Sequence, residues 1–443
     1  MAALSMPTAV AAASSWGSEL LLALESGGSP EPALAAVRQR AARALADRPL
    51  PSRRQEAWRF TDIAPLLAII PALLPPATTE PASLPSLRPG VVRLVLDGHG
   101  DPLAGVSLPA GIEAIPAANL EALLRERSTD RGQDRGANGA SSHAAARAGS
   151  EAPWSGLLAA ATAGQVLALR VRGVVEPTLE LVSDAASAEG VLPLRLLLIL
   201  EPEARLELLQ VHRAASASLT TVLLEARLGA GARLSHGLIG QGGGAAVLLA
   251  DLAVEQDPGS HYAFTSAVAG WALSRLEPRV LQSGGGATTR LRSLQRVDGR
   301  QIADQHSQVR FEGPEGELDQ LHKAIADGAG RSVFNGAVAV PRAAQRTDAV
   351  QLSRSLLISD RARIDTKPQL EIVADDVKCA HGATVSRLQS EELFYLQSRG
   401  IAAANASRLL LRGYCGEVLR ELPAAGAIWQ PLAMVLAEEA PRP

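Results

Sequence analysis

Cys379 and His381 stand two residues apart in the run Lys378-Cys379-Ala380-His381-Gly382. On a β-strand, residues i and i+2 share a face and lie about 6.5–7 Å apart. The thiol and the imidazole would then point the same way, with Lys378 and Ala380 on the opposite face. A thiolate and a neutral imidazole are ligand types suited to iron–sulfur chemistry. Two ligands do not complete a site, so a second chain would have to supply the others. Taken alone, the same pair also fits a small buried hydrophobe next to a surface histidine.

Adjacent residues offer less. Asp375-Asp376 could be paired carboxylates for acid–base work, but neighbouring strand residues face opposite ways, which favours a turn or capping role. Gly242-Gly243-Gly244 and Gly284-Gly285-Gly286 lack the lysine and hydroxyl residue of a phosphate-binding loop and read as turns. His306, His322 and Asp304 show no ligand spacing and read as structural. Phe334-Asn335-Gly336 reads as a turn, because Asn-Gly supplies positive φ cheaply. Trp58, Arg59, Phe60 and Thr61 read as an anchor pinning the N-terminal part to the body.

Composition restricts the class of protein. With 443 residues the chain exceeds one compact core, and its 47% hydrophobic content suffices for two or three domains. Aromatics are only 3%, so the interior must be stacked from Leu, Val, Ile and Ala. The 43 basic residues nearly balance 46 acidic ones, for a net charge of −3, which argues against nucleic acid as a partner. Two cysteines, Cys379 and Cys415, make no disulfide framework and no CxxC pair, as expected of a reduced intracellular protein. The N-terminal residues lack the basic start of a secretory signal. No run reaches the about 18 apolar residues of a membrane span. The expected location is cytoplasmic, with an organellar stroma second.

The elements that would position Cys379 and His381 are strands. Residues 16–48 carry apolar positions at helical spacing, broken at Ser29-Pro30, and Val91–Leu96 reads as a strand ended by Asp97-Gly98. Leu120 to Arg125 is a short helical piece. The segment 126–153 has no large apolar residue and reads as a mobile loop or linker. Short β-like runs then follow at 165–172, 174–182, 191–200, 204–211, 219–227 and 246–254. Val191–Leu200 suits a strand covered on both faces, with Pro193 and Arg195 pointing to a later start. A sandwich and a parallel β-helix both fit such a series. No internal repeat is legible. After Arg387 the pattern is helical: one helix from Glu391 closed by Gly400, a second from Ala403 to Arg420 stopped by Pro423, and a last piece at Pro431–Ala437.

The run DTKPQLEIVADDVKCAHGATVSRL (365–388), followed by EELFYLQSRGI (391–401), resembles the C-terminal signature of SufD-type chains of the SufB/SufD family of iron–sulfur cluster assembly scaffolds. The resemblance extends upstream through 327–360. It covers roughly Arg275–Leu422, plus the island RRQEAWRFTDI (53–63). It implies a mainly β fold: a right-handed parallel β-helix core at 161–388 between an N-terminal helical region (1–160, with a short α/β part) and a C-terminal helical domain (389–443). It also implies a non-enzymatic scaffold. Such a scaffold pairs with a SufB-like paralogue through the β-helix edge near 365–387, or with itself when alone. It docks a SufC-like ABC-type ATPase through the C-terminal helices. No permanently bound cofactor is implied. A transient cluster would form at the shared interface, with His381 as contributor and Cys379 as second candidate. Chains of the SufB branch carry a cysteine where Ser353 stands here and a glutamate where Gly382 stands. A serine carries no persulfide, so this chain is not expected to be the primary sulfur acceptor. The C-terminal helices could also close the open end of the β-helix. Two rivals are an architectural adaptor without metal contact and a polysaccharide-active β-helix enzyme. Low aromatic content speaks against the latter.

Overall fold

The computed structural model describes residues 16–23, 32–75, 84–116, 118–120, 123, 152–185 and 188–437. Most of the 126–153 segment, His143, the Ser29-Pro30 break and parts of the 120–125 piece lie outside them.

Leucine-rich segments with β-branched residues among them build eighteen strands among the described residues. They begin with β1 (Val91–Val95), β2 (Ile112–Ala114), β3 (Leu167–Val171), β4 (Thr178–Ala185), β5 (Gly190–Leu200) and β6 (Arg205–Ala214). Next come β7 (Ser218–Leu228), β8 (Arg233–Gln241), β9 (Val247–Gln256), β10 (His261–Ala269), β11 (Leu273–Gln282) and β12 (Thr288–Val297). The series ends with β13 (Ile302–Phe311), β14 (Glu317–Ala326), β15 (Arg331–Val340), β16 (Asp348–Leu357), β17 (Arg363–Ile372) and β18 (Lys378–Ser386). From β3 onward, successive strands alternate between two sheets, and each pairs in parallel with the strand two further on. The chain therefore winds as a parallel β-helix with two strands per turn. β1 extends one sheet beside β4, and β2 joins the other antiparallel to β3.

The interior of the early turns is mainly a stack of aliphatic columns, with Gln210, His212 and His236 buried among them. Leu194, Leu196 and Leu198 of β5 face Leu206 and Leu208 of β6 across the lumen, in one core with Leu224, Leu234 and Leu252. Each fully buried leucine contributes about 1.5–3 kcal/mol before entropy is charged. The outer faces are covered by helices. Helix Trp154–Thr162 lays Leu157, Leu158 and Ala161 on Val191, Leu219, Leu223 and Leu249. That double cover explains the unbroken aliphatic reading of β5. Contrary to expectation, β5 starts at Gly190 and runs through Pro193. Val191 donates to Ala72 on the flank opposite β7, and Pro193, two residues on, turns its missing N–H to that same flank before β3 begins to pair at Leu196. The ladder therefore loses nothing there.

The C-terminal helices do not close the end of the β-helix. Helix Ala403–Leu419 and helix Pro431–Leu436 lie on the side of the even-numbered sheet, where Cys415, Val418 and Val435 bury Ala269, Leu294, Leu321 and Ile325. Lys323 of β14 fixes this docking, pairing with Glu417 at 2.5 Å and donating to the Tyr414 carbonyl at 2.8 Å. Helix Ser390–Ser398 packs on the 403–419 helix and buries none of its own residues. It is closed at Gly400, whose φ of 85° suits a residue without Cβ. No helix among the described residues is long and apolar enough to cross a membrane.

Phe334-Asn335-Gly336, expected as a turn, lies in the middle of β15. Phe334 turns inward and stacks on the His322 ring, centroids 4.6 Å apart. Gly336 faces the lumen, where a Cβ would overlap the side-chain amide of Gln351. Here glycine makes room for an amide; it does not supply positive φ.

Candidate functional site at the open end of the β-helix

The two sheets end at β17 and β18, each hydrogen-bonded on one side only within the described chain. Every residue of both strands is at least partly exposed, in contrast to the buried strands before them. Two edge strands, one ending each sheet, leave their outer N–H and C=O groups open for another chain.

Cys379 and His381 both lie on β18. Their register partners on β16 are Ala349 and Gln351. Ala349 belongs to the interior core, and Cys379 packs against that same core. Both side chains therefore point to the lumen face of the last turn, as i, i+2 spacing requires. Lys378 and Ala380, exposed, take the other face. The expected juxtaposition is present: a half-buried thiol next to an exposed imidazole, on a strand whose outer side has no neighbour among the described residues.

Burial raises the Cys379 thiol above its ordinary pKa, with the Asp348 carboxylate adding to the effect and a backbone bond to Ala349 opposing it. Cys415, the other cysteine, is buried under helix 403–419 and pushed up to about 11 by burial. Of the two cysteines, only Cys379 is partly exposed. Among the described residues, no three His, Cys, Asp or Glu side chains converge as a metal site.

The other residues singled out in the sequence fall elsewhere. Ser353 is buried in β16 with its hydroxyl facing the lumen, opposite Ala383 of β18. Gly382 lies on the outward face, opposite Leu352. Asp375 and Asp376 occupy the exposed turn between β17 and β18, where Asp376 accepts from the Arg346 N–H at 2.6 Å. His306 sits on the outer face of β13, 2.9 Å from Asp304. Trp58 lies under the Arg275 guanidinium, 4.0 Å from the ring centroid, so the 58–61 segment is the anchor expected of it.

Sequence reasoning missed the polar lining of the last turns. Gln320 and Gln351 form one inward column with His381 across β14, β16 and β18. Gln351 Nε2 donates to Gln320 Oε1 at 3.0 Å, and Gln320 Nε2 donates to the Ser307 hydroxyl at 2.7 Å. The only available signal was a glutamine at the same inward position of two stacked strands.

A second surface lies on the C-terminal helices. Phe394 is 73% exposed, Tyr395 58% and Leu409 50%. Tyr395, Leu396, Leu409 and Leu410 line a shallow depression between the two helices, edged by Glu391 and Glu392. Neighbouring exposed rings and leucines of this kind mark an interaction surface.

Residues 182–414 match the family model described as "SUF system FeS cluster assembly, SufBD core domain". An iron-sulfur cluster assembly SufBD family protein of Synechocystis is 33% identical over 419 residues, covering 90% of this chain and 89% of the relative. The iron-sulfur cluster assembly protein SufD of Escherichia coli is 37% identical over 166 residues, 38% of this chain and 39% of that protein. Protein ABCI7, chloroplastic, of Arabidopsis thaliana is 38% identical over 205 residues, 46% of this chain and 43% of that protein.

Proposed function

The chain belongs to the SufBD family of the SUF iron–sulfur cluster assembly system, and from that premise we propose that it is a SufD-type scaffold subunit. In this reading β17 and β18 pair with the corresponding edge of a SufB-like chain. A nascent cluster, the cargo of the complex, is built where the two edges meet. His381 contributes an imidazole ligand, and Cys379 is the second contributor. A SufC-like ATPase docks on the apolar surface of helices 390–398 and 403–419. ATP hydrolysis belongs to that partner, and its movement reaches the edge through the helix pair held by Lys323 and Glu417.

The observation that carries this reading is the position of Cys379 and His381. They share the lumen face of a terminal strand that is exposed along its whole length. No third such ligand converges there among the described residues, so a metal bound there would draw its remaining ligands from a chain laid along that edge.

The test is iron and acid-labile sulfide in the complex purified anaerobically with SufB- and SufC-like partners, comparing the parent with His381→Ala. The expected result is an intact complex that has lost its cluster. A variant complex with full iron and sulfide would make the chain an architectural adaptor.

A further inference from the structure

Polar side chains run along the lumen to the end that carries His381. β6 and β8 already turn Gln210, His212 and His236 inward, and β14 and β16 turn Gln320, His322, Gln351, Ser353 and Ser355 inward. Buried polar atoms are costly unless hydrogen-bonded. Here the Ser307–Gln320–Gln351 file satisfies most of its members in one direction: each amide donates to the residue farther from the open end. The two polar atoms of a primary amide diverge from one carbon. With Nε2 of Gln351 committed to Gln320, its Oε1 is the atom left free. That Oε1 is buried and has no hydrogen-bond partner. The next side chain in the column is His381, the register partner of Gln351. Gly336 makes this arrangement possible, because any Cβ there would overlap the Gln351 amide.

We propose that Gln351 is the positioning residue for His381: its Oε1 accepts the ring N–H of the imidazole on the neighbouring strand and so selects the tautomer. A histidine that binds metal through one nitrogen is held by an acceptor at the other, which sets ring orientation and basicity. That contact would satisfy an Oε1 that is buried and otherwise without a partner. The neighbouring Ser353 and Ser355 hydroxyls, also without partners, continue the polar lining around it. The consequence for cluster assembly rests on the reading of His381 as a metal contact, but the positioning itself does not.

The test uses the full-length protein labelled with 15N in its eight histidines, with the His381 resonances assigned by comparison with His381→Ala. At a pH where the imidazole is neutral, the parent should show the widely separated ring-nitrogen shifts of one tautomer. Gln351→Met, close in shape but without an acceptor, should bring the two shifts together as the tautomers mix. If Gln351→Met fails to fold, Gln320→Met removes the acceptor that turns the amide and should give the same collapse. Unchanged His381 shifts in a folded variant would overturn the proposal. Because the readout needs no metal, its failure is distinct from a cluster that survives His381→Ala.

Discussion

The Thr61 hydroxyl donates to Asp304 across 2.5 Å, joining residues 243 positions apart in the chain. Asp304 is fully buried on the outer face of β13 and is also paired with Arg275 and His306. Arg275 in turn stacks on Trp58, donates to the Ala57 carbonyl at 3.0 Å and pairs with Glu277. Burial raises the Asp304 pKa, but Arg275 and His306 outweigh it and hold the carboxyl well below the usual range. Asp304→Ala leaves a buried guanidinium short of a partner and frees the 57–61 segment. The expected cost is about 3–5 kcal/mol, read as a lower midpoint in urea denaturation. A variant within about 0.5 kcal/mol of the parent would mean that the network only decorates the surface.

Acid should loosen the β-helix from inside. Burial lowers the pKa of His212 to about 4 and of His236 and His322 to about 3. Between those values and the ordinary 6.5, the unfolded chain binds protons that the native chain does not, so stability rises with pH through this window and is lost as pH falls. Asp251 works the other way. Burial raises it to about 6, so between its ordinary value and 6 the native state holds the extra proton. Three histidines against one aspartate leave a net loss on acidification. Denaturation midpoints at pH 7 and pH 5 should differ in that direction, and His322→Gln should narrow the difference. Equal midpoints in parent and variant would contradict the burial argument.

The two cysteines should separate cleanly by alkylation. Cys379 is half-buried at an edge, whereas Cys415 lies beneath a helix with its thiol pushed up to about 11. Native protein at neutral pH should be modified at Cys379 first, and slowly, because burial raises this thiol too. Denaturant should make both react alike. Peptide mass analysis against time reads the order, and modification of Cys415 before Cys379 would place the 403–419 helix wrongly.

How far the sequence carried this picture depends on which face each residue takes. The aliphatic runs of β3 to β7 and of β9 were legible as strands because both faces are covered and the leucines are continuous. The stacking was not. Val247 pairs with Leu273 but Arg331 with Arg363, so equivalent positions recur anywhere from 26 to 32 residues apart, and no fixed period survives. Turn lengths vary because they lie outside the stacked core. Cys379 and His381 were legible because alternation on a strand fixes their common face whatever the fold. Gln351 was not, since a glutamine in a strand ordinarily points to water, and only the closed lumen turns it inward. Asn335-Gly336 misled for a related reason. A dipeptide that favours turns was placed in a strand by the need for space beside an amide one turn in from the open end.

The exposed surface of the C-terminal helices gives the last prediction. The 403–419 helix buries Cys415 and Val418 against the β-helix while Leu409 faces solvent. The fold uses one side of this helix and leaves the other, with Phe394 and Tyr395 of its neighbour, for something else. Replacing Phe394 and Leu409 together by glutamate removes the apolar surface without touching the buried side, so the denaturation midpoint should stay within about 0.5 kcal/mol of the parent's stability. Capture of a SufC-like ATPase should fall by a hundredfold or more, about 2.8 kcal/mol at the usual tenfold per 1.4 kcal/mol. Pairing with a SufB-like chain, which the proposal places at β17 and β18, should be untouched. Co-purification of both partners from one preparation reads the two contacts at once. Loss of the SufB-like chain with retention of the ATPase would exchange the two surfaces and overturn the assignment.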